Sequence, residues 1–208
     1  LSLDSLLSDD ERQVRDAAHA YCQERLLPRA QLSFRHEETD ASIFREMGEL
    51  GLLGPTIGEQ YGGAGADKLY SVLQFEALAS AGFSGIGFGL HNEIVAPYLL
   101  NYGTDEQKQR LLPRLASGDM VGAIAMSEPA AGSDLQGIRA TALVQADGSY
   151  LLNGSKTFIT NGYLSDVVVV AAKTDSSKGA KGISLFLLEK GMPGFSKGVP
   201  FEKVGLHA

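Results

Sequence analysis

Apolar residues recur at helical spacing through the first half of the chain and at strand spacing through the second. Ser8-Asp-Asp-Glu11 reads as a capping box, the serine accepting from an orphan amide while Glu11 reaches back. Val14, Ala17, Ala18, Tyr21 and Leu26 follow on one stripe, and Pro28 is expected to end that helix. A short helix over 41–50 turns Ile43, Phe44, Met47 and Leu50 inward, with Gly51 as its C-cap. Residues 56–65 are too rich in glycine for regular structure. Helices resume over 67–81, with Leu69, Val72, Leu73, Glu76 and Leu78 at helical spacing, and again over 86–102. Thr104-Asp-Glu-Gln107 is a second capping box, opening a helix that carries Leu111, Leu112 and Leu115.

Beyond Val121 the period shortens. Residues 121–126, 140–146, 150–152, 157–160, 167–172 and 183–188 are β-prone runs. Asp147-Gly148, Asn153-Gly154, Asn161-Gly162 and Lys181-Gly182 punctuate them, and the Asp-Gly and Asn-Gly pairs suit type I′ hairpin turns. Helices first and strands afterwards indicate an α+β chain of segregated domains: an all-α domain over 1–118 and a β domain over 119–208, meeting near Ser117-Gly-Asp119.

Composition narrows the function classes. The 208 residues are 44% hydrophobic and 21% charged, as in an ordinary globular protein with a real core. A net charge of −7 and no basic cluster denser than Lys173, Lys178 and Lys181 argue against nucleic acid. No apolar run approaches a membrane span of ~20 residues. Cys22 stands alone, so no intrachain disulfide forms, and no secretory signal pattern opens the chain. Leu at position 1 points to a trimmed or processed N-terminus. The four histidines are scattered and no metal site is expected.

Several phosphate and nucleophile signals fail on inspection. Gly132-Ser-Asp-Leu-Gln-Gly137 has the glycine spacing of a P-loop, but Ile138 and Arg139 stand where Lys and Ser/Thr belong. Gly85-Ile-Gly-Phe-Gly89 lacks the third glycine of a dinucleotide loop, and no serine sits in a Gly-x-Ser-x-Gly elbow. Two segments remain: Ala125-Met-Ser-Glu-Pro-Ala-Ala-Gly-Ser-Asp134, and Leu152-Asn-Gly-Ser-Lys-Thr-Phe-Ile-Thr-Asn-Gly162. Each reads by itself as a strand running into a tight turn, with Ser127 as a cap and Gly132 at a special backbone angle.

Together these strings resemble the acyl-CoA dehydrogenase family. Gly58-Glu-Gln-Tyr-Gly-Gly-Ala-Gly65, Tyr102-Gly-Thr-Asp-Glu-Gln-Lys108 and Gly182-Ile-Ser-Leu-Phe-Leu-Leu-Glu189 are similar to it as well. The last of these, with Phe201-Glu-Lys-Val-Gly-Leu-His-Ala208, is most similar to the long-chain branch. The resemblance implies an N-terminal helical domain, then an antiparallel β-barrel-like domain truncated at its C-terminal end, with the family's C-terminal helical bundle absent. It implies FAD as cofactor and the introduction of a trans α,β double bond into acyl-CoA thioesters, as in fatty-acid β-oxidation.

The implied flavin contacts are Ile124, Ala125, Met126, Ser127, Glu128, Pro129, Ala130, Ala131, Gly132 and Ser133, with Phe158, Ile159 and Thr160. Phe158 covers a ring face, Thr160 bonds near N5, and Glu128 and Pro129 shape the turn. Ser133, Ala180 and Lys181 are the implied substrate contacts, and the glycines of 82–90 with His91 and Asn92 line the acyl tunnel. The family's catalytic base, a glutamate of the C-terminal domain, is not among these residues, so this chain alone is expected to be inactive. An electron-transfer flavoprotein is the implied acceptor, a homotetramer the implied full-length assembly, and a bacterial cytoplasm or mitochondrial matrix the compartment. The alternatives are an acyl-CoA oxidase or flavin monooxygenase on the same fold, or a non-catalytic chain that binds flavin or CoA esters.

Overall fold

A computed structural model describes residues 3–83 and 85–206. The chain divides into two compact units. One runs to Met120 and takes in the segment from Val199 onward; the other runs from Val121 to Gly198.

In the helical unit, α1 (Asp9–Tyr21) starts at the Ser8 capping box, with the Ser8 hydroxyl accepting from the Glu11 amide and the Glu11 carboxylate from the Ser8 amide. Pro28 does not end the helix. A π turn, Cys22–Leu26, leads directly into α2 (Leu27–His36), which holds Pro28 in its first turn. Proline lacks an N–H and its ring collides with the preceding turn of a regular helix; the widened turn relieves both demands. The same device recurs where α5 (Phe88–Leu90) passes through a π turn, His91–Val95, into α6 (Ala96–Tyr102) with Pro97 in its first turn.

α3 (Ser42–Glu49) buries Ile43, Phe44 and Met47 as its pattern predicts, but Leu50, at the C-cap, is 55% exposed. α4 (Lys68–Ser80) is capped by Asp67 and buries Ser71, Leu73, Gln74 and Ala77, leaving Val72 exposed. Apolar residues lie all round this helix, so its buried stripe cannot be read from hydrophobicity. α7 (Asp105–Ala116) opens on the Thr104 capping box and buries Leu111, Leu112 and Leu115. A Cβ on Gly48 would lie 2.1 Å from the Ser117 carbonyl oxygen, and one on Gly118 2.1 Å from that of Phe44. α3 and the end of α7 thus meet backbone to backbone. Asn92 ties the loop after α3 to this core: its Nδ2 donates to the Leu52 carbonyl, and its Oδ1 accepts from the Gly54 amide, both at 3.0 Å.

The second unit is a mixed five-stranded sheet. β1 is Gly122–Ala125, β2 Thr141–Val144, β3 Tyr150–Asn153, β4 Val167–Lys173 and β5 Ile183–Glu189. The antiparallel pairings β2–β3 and β4–β5 are present, but β1 and β2 both run parallel to β4. Val167 to Ala172 are buried throughout, as a strand covered on both faces must be. The Asp147-Gly148 hairpin is not type I′, because Gly148 supplies its only positive φ (82°). The Gly148 amide donates to the Gln145 carbonyl and the Gln145 amide to that of Ser149, the bonding of a type I turn with a glycine bulge. Residues 157–160 form no strand: Phe158 has φ 57° and the chain turns there. Among the described residues, no helix is long and apolar enough to cross a membrane.

Candidate functional site

The site arises from how two strands share one edge. β1 leaves β4 at the pair Ala125–Val170, and β2 joins the same edge at Thr141–Lys173. The ends of segment 126–140 are therefore pinned on the order of 10 Å apart, given ~3.3 Å per strand residue. Everything between must leave the sheet and come back.

Glu128, Pro129, Ala130 and Ala131 make the first turn of that excursion, with proline at the position its fixed φ favours. The Ala131 amide donates to the Glu128 carbonyl at 3.1 Å, and the Glu128 amide to that of Ala131 at 2.8 Å. Ala131, Ile138 and Ala171 then form a small core with Met126 and Ile183 against them, which holds the loop down on the sheet. Gly132 has no positive φ, so the special angle expected there is absent; a Cβ on it would meet nothing within 4 Å. The chain beside Gly132 faces open space.

Ser133 is exposed and Ser127 half-buried. Neither hydroxyl is used by the hydrogen bonds that fold the loop, among the described residues. The two sequence strings do meet: the Thr157 amide donates to the Ser127 carbonyl at 3.0 Å. Ile159 packs on the core of Ala123, Ala125, Val168 and Val170, while Phe158 is 74% exposed and Thr160 is exposed. A left-handed φ at a bulky residue is uncommon and strained, and here it displays an aromatic ring. The Asn161 Nδ2 donates to the Gly122 carbonyl at 3.1 Å and anchors the turn to β1.

Ala180 and Lys181 lie exposed on the turn Ser176–Gly182, which packs beside the turn Leu135–Gly137 just beyond Ser133. A Cβ on Gly182 would stand 1.8 Å from the Asp175 carbonyl oxygen, so only glycine closes that turn.

Three of the expected contact residues point inward. Ala125, Glu128 and Ala131 are buried, so only their backbones can face a ligand. The sequence pattern gives no role to Lys156, yet its Nζ donates to Glu128 Oε1 and to the Met126 carbonyl, both at 2.9 Å. The Glu128 carboxylate also accepts from the Arg139 amide at 2.6 Å and the Ala140 amide at 3.0 Å. Burial alone pushes its pKa up, but the Arg139 amide, Lys156 and the Ala140 amide outweigh that and hold it below its ordinary value. His91 and Asn92, expected along a tunnel, are each 1% exposed and bonded to the backbone of the helical core.

Residues 8–119 match the acyl-CoA dehydrogenase N-terminal domain, and residues 123–208 match the acyl-CoA dehydrogenase middle domain. The chain belongs to the acyl-CoA dehydrogenase family. The long-chain specific acyl-CoA dehydrogenase of Sus scrofa mitochondria is 44% identical over 206 residues, which cover 98% of this chain and 47% of that protein. An acyl-CoA dehydrogenase structure from Geobacillus kaustophilus superposes with a TM-score of 0.93 at 45% identity, over 97% of this chain and 53% of that one. A Mycobacterium smegmatis glutaryl-CoA dehydrogenase, solved in complex with FADH2, gives a TM-score of 0.89 at 33% identity, over 100% and 52% of the two chains. The chain thus spans about half the length of the relatives it matches.

Proposed function

We propose that this chain carries the flavin-facing half of an FAD-dependent acyl-CoA dehydrogenase. The observation that carries this reading is the 126–133 loop: folded by its own internal bonds, it leaves two serine hydroxyls unused and open space beside Gly132. A flat, polar-edged ring with a pyrophosphate arm suits such a surface, and exposed Phe158 offers an apolar face to it. The backbones of Ile124, Ala125, Met126, Glu128, Pro129, Ala130 and Ala131, with Ser127, Gly132, Ser133, Ile159 and Thr160, complete the proposed cofactor contacts. Ser133, Ala180 and Lys181 are the proposed substrate contacts, Lys181 attracting a CoA phosphate.

When bound, FAD supplies a hydride acceptor for the β-carbon of the thioester. This chain's part is to hold the ring, place donors at its polar edge and keep one face dry; fixed donors of that kind stabilise charge that develops on reduction. Glu128 does not suit the role of α-proton acceptor. Both its oxygens are engaged by two amides and an ammonium, and it is buried. The reading assigns the base to a part of the family that this chain does not span. It takes an electron-transfer flavoprotein as electron acceptor, and a tetramer as the full-length assembly, in a bacterial cytoplasm or mitochondrial matrix.

Anaerobic addition of acyl-CoA esters of graded length to the FAD-loaded full-length enzyme, with the part that carries the base included, tests the chemistry. Bleaching of the visible flavin band by at least one ester is expected. A flavin that no ester reduces sinks the dehydrogenase reading, and oxygen uptake without an added acceptor replaces it with an oxidase.

A further inference from the structure

We propose that Glu128 and Lys156 are positioning residues: a buried clamp that fixes the shape of the 126–140 loop against the flavin. The proposal rests on the flavin reading above for its purpose and on the hydrogen-bond pattern for its existence.

Strand pairing holds the loop only at its ends, at Ala125 on Val170 and at Thr141 on Lys173, and between them Ala131 and Ile138 pack on Ala171 without any ladder bond. Between those anchors a loop of this kind is free to breathe, since few backbone bonds cross it. One ion pair gathers it. The Lys156 ammonium holds the outgoing strand end through the Met126 carbonyl, and it holds Glu128 two residues on. The Glu128 carboxylate reaches across to the returning end and accepts from the amides of Arg139 and Ala140. A single side chain thus bridges both ends of the excursion, and Lys156 ties that bridge to the segment carrying Phe158. The Ser127 to Thr157 bond lies between these two contacts.

The clamp also has the right chemistry to be stiff. The Lys156 and Glu128 side chains are 10% and 6% exposed, so water does not compete for their bonds. Breaking such a pair leaves an uncompensated buried charge, whereas replacing both partners by neutral groups of like size is often tolerated. That difference separates positioning from mere stability.

The test uses the 208-residue chain, Glu128→Gln, and the double variant Glu128→Gln/Lys156→Met. Glu128→Gln turns one carboxylate oxygen into an NH2 that cannot accept, so hydrogen exchange at one of the Arg139 and Ala140 amides is expected to rise about tenfold or more, one lost hydrogen bond's worth, while the β4 amides stay protected. Unchanged exchange at those two amides, or loosening of the whole sheet in step with them, overturns the clamp. In the double variant the melting temperature is expected to recover towards the parent's. FAD should still bind about tenfold more weakly than to the parent, with an altered flavin band shape. A double variant with the parent's affinity and band shape overturns the positioning role. A parent chain that retains no FAD counts against the flavin reading alone, and the exchange pattern still decides the clamp.

Discussion

The His91 Nε2 lies 3.0 Å from the carbonyl oxygen of Leu115, in the interior of the helical unit. A carbonyl can only accept, so Nε2 carries a proton. Burial pushes the His91 pKa down to about 4, against a smaller upward pull from the Leu115 carbonyl. The folded state then binds fewer protons than the unfolded chain between that value and the ordinary histidine pKa, so stability falls with acid across this window. From pH 7 to pH 5 the loss is about 2 kcal/mol from this one residue. Urea unfolding at the two pH values measures it. In His91→Phe the slope over the same window should flatten, and a slope that persists assigns it to other groups.

Asn92 is a buried amide bonded at both ends to the loop after α3. Asn92→Leu leaves the Gly54 amide and the Leu52 carbonyl without the partner each has now. A loss of roughly 2–4 kcal/mol is expected, read as a lowered urea midpoint with an unchanged m-value.

Two glycines with left-handed φ separate strain from collision. At Gly51 (φ 68°) a Cβ would meet nothing within 4 Å, so Gly51→Ala should lose only the ~1–2 kcal/mol of the left-handed backbone. Gly118 (φ 75°) would also drive its methyl into the Phe44 carbonyl. Gly118→Ala should therefore unfold at a clearly lower temperature than Gly51→Ala, and equal melting temperatures contradict the backbone contact.

Phe158 should behave as a residue kept for its ligand. Its ring is largely exposed and its φ is positive, so Phe158→Gly is expected to hold or raise stability, by up to ~1 kcal/mol. The same variant should retain FAD more weakly. A Phe158→Gly chain that is destabilised by more than about 1 kcal/mol shows the ring packing against its own fold instead.

Both capping boxes, the α3 core face and the hydrophobic β4 run were legible because local chemistry decides them. Pro28 misleads because a proline signals a helix end unless the turn before it widens, and no residue of 22–26 announces that. Residues 157–160 alternate like a strand, yet Phe158 takes a left-handed φ inside a turn anchored by Asn161. The site strings were visible, but the direction of Glu128 was not. Nothing in Ser-Glu-Pro says the carboxylate turns inward to meet amides that follow it by 11 and 12 positions and a lysine 28 positions on. Long-range partners of that sort are set by strand order, which sequence pattern does not reveal.

The π turn before Pro28 has a bearing on length variation. Tyr21, Arg25 and Arg29 flank and span it, and all three reach Glu46: a phenol donor at 3.2 Å and guanidinium contacts at 3.7 and 2.8 Å. The turn amounts to one extra residue threaded into an otherwise continuous helix, which offsets the angular phase of everything after it by about 100°. Removing any one residue from 22–26 would impose regular α-helical phase across Pro28. It would also swing Arg29 away from Glu46 and press the Pro28 ring against its own preceding turn. A single-residue deletion in this stretch is therefore expected to destabilise the helical unit even where the flanking surface tolerates substitution.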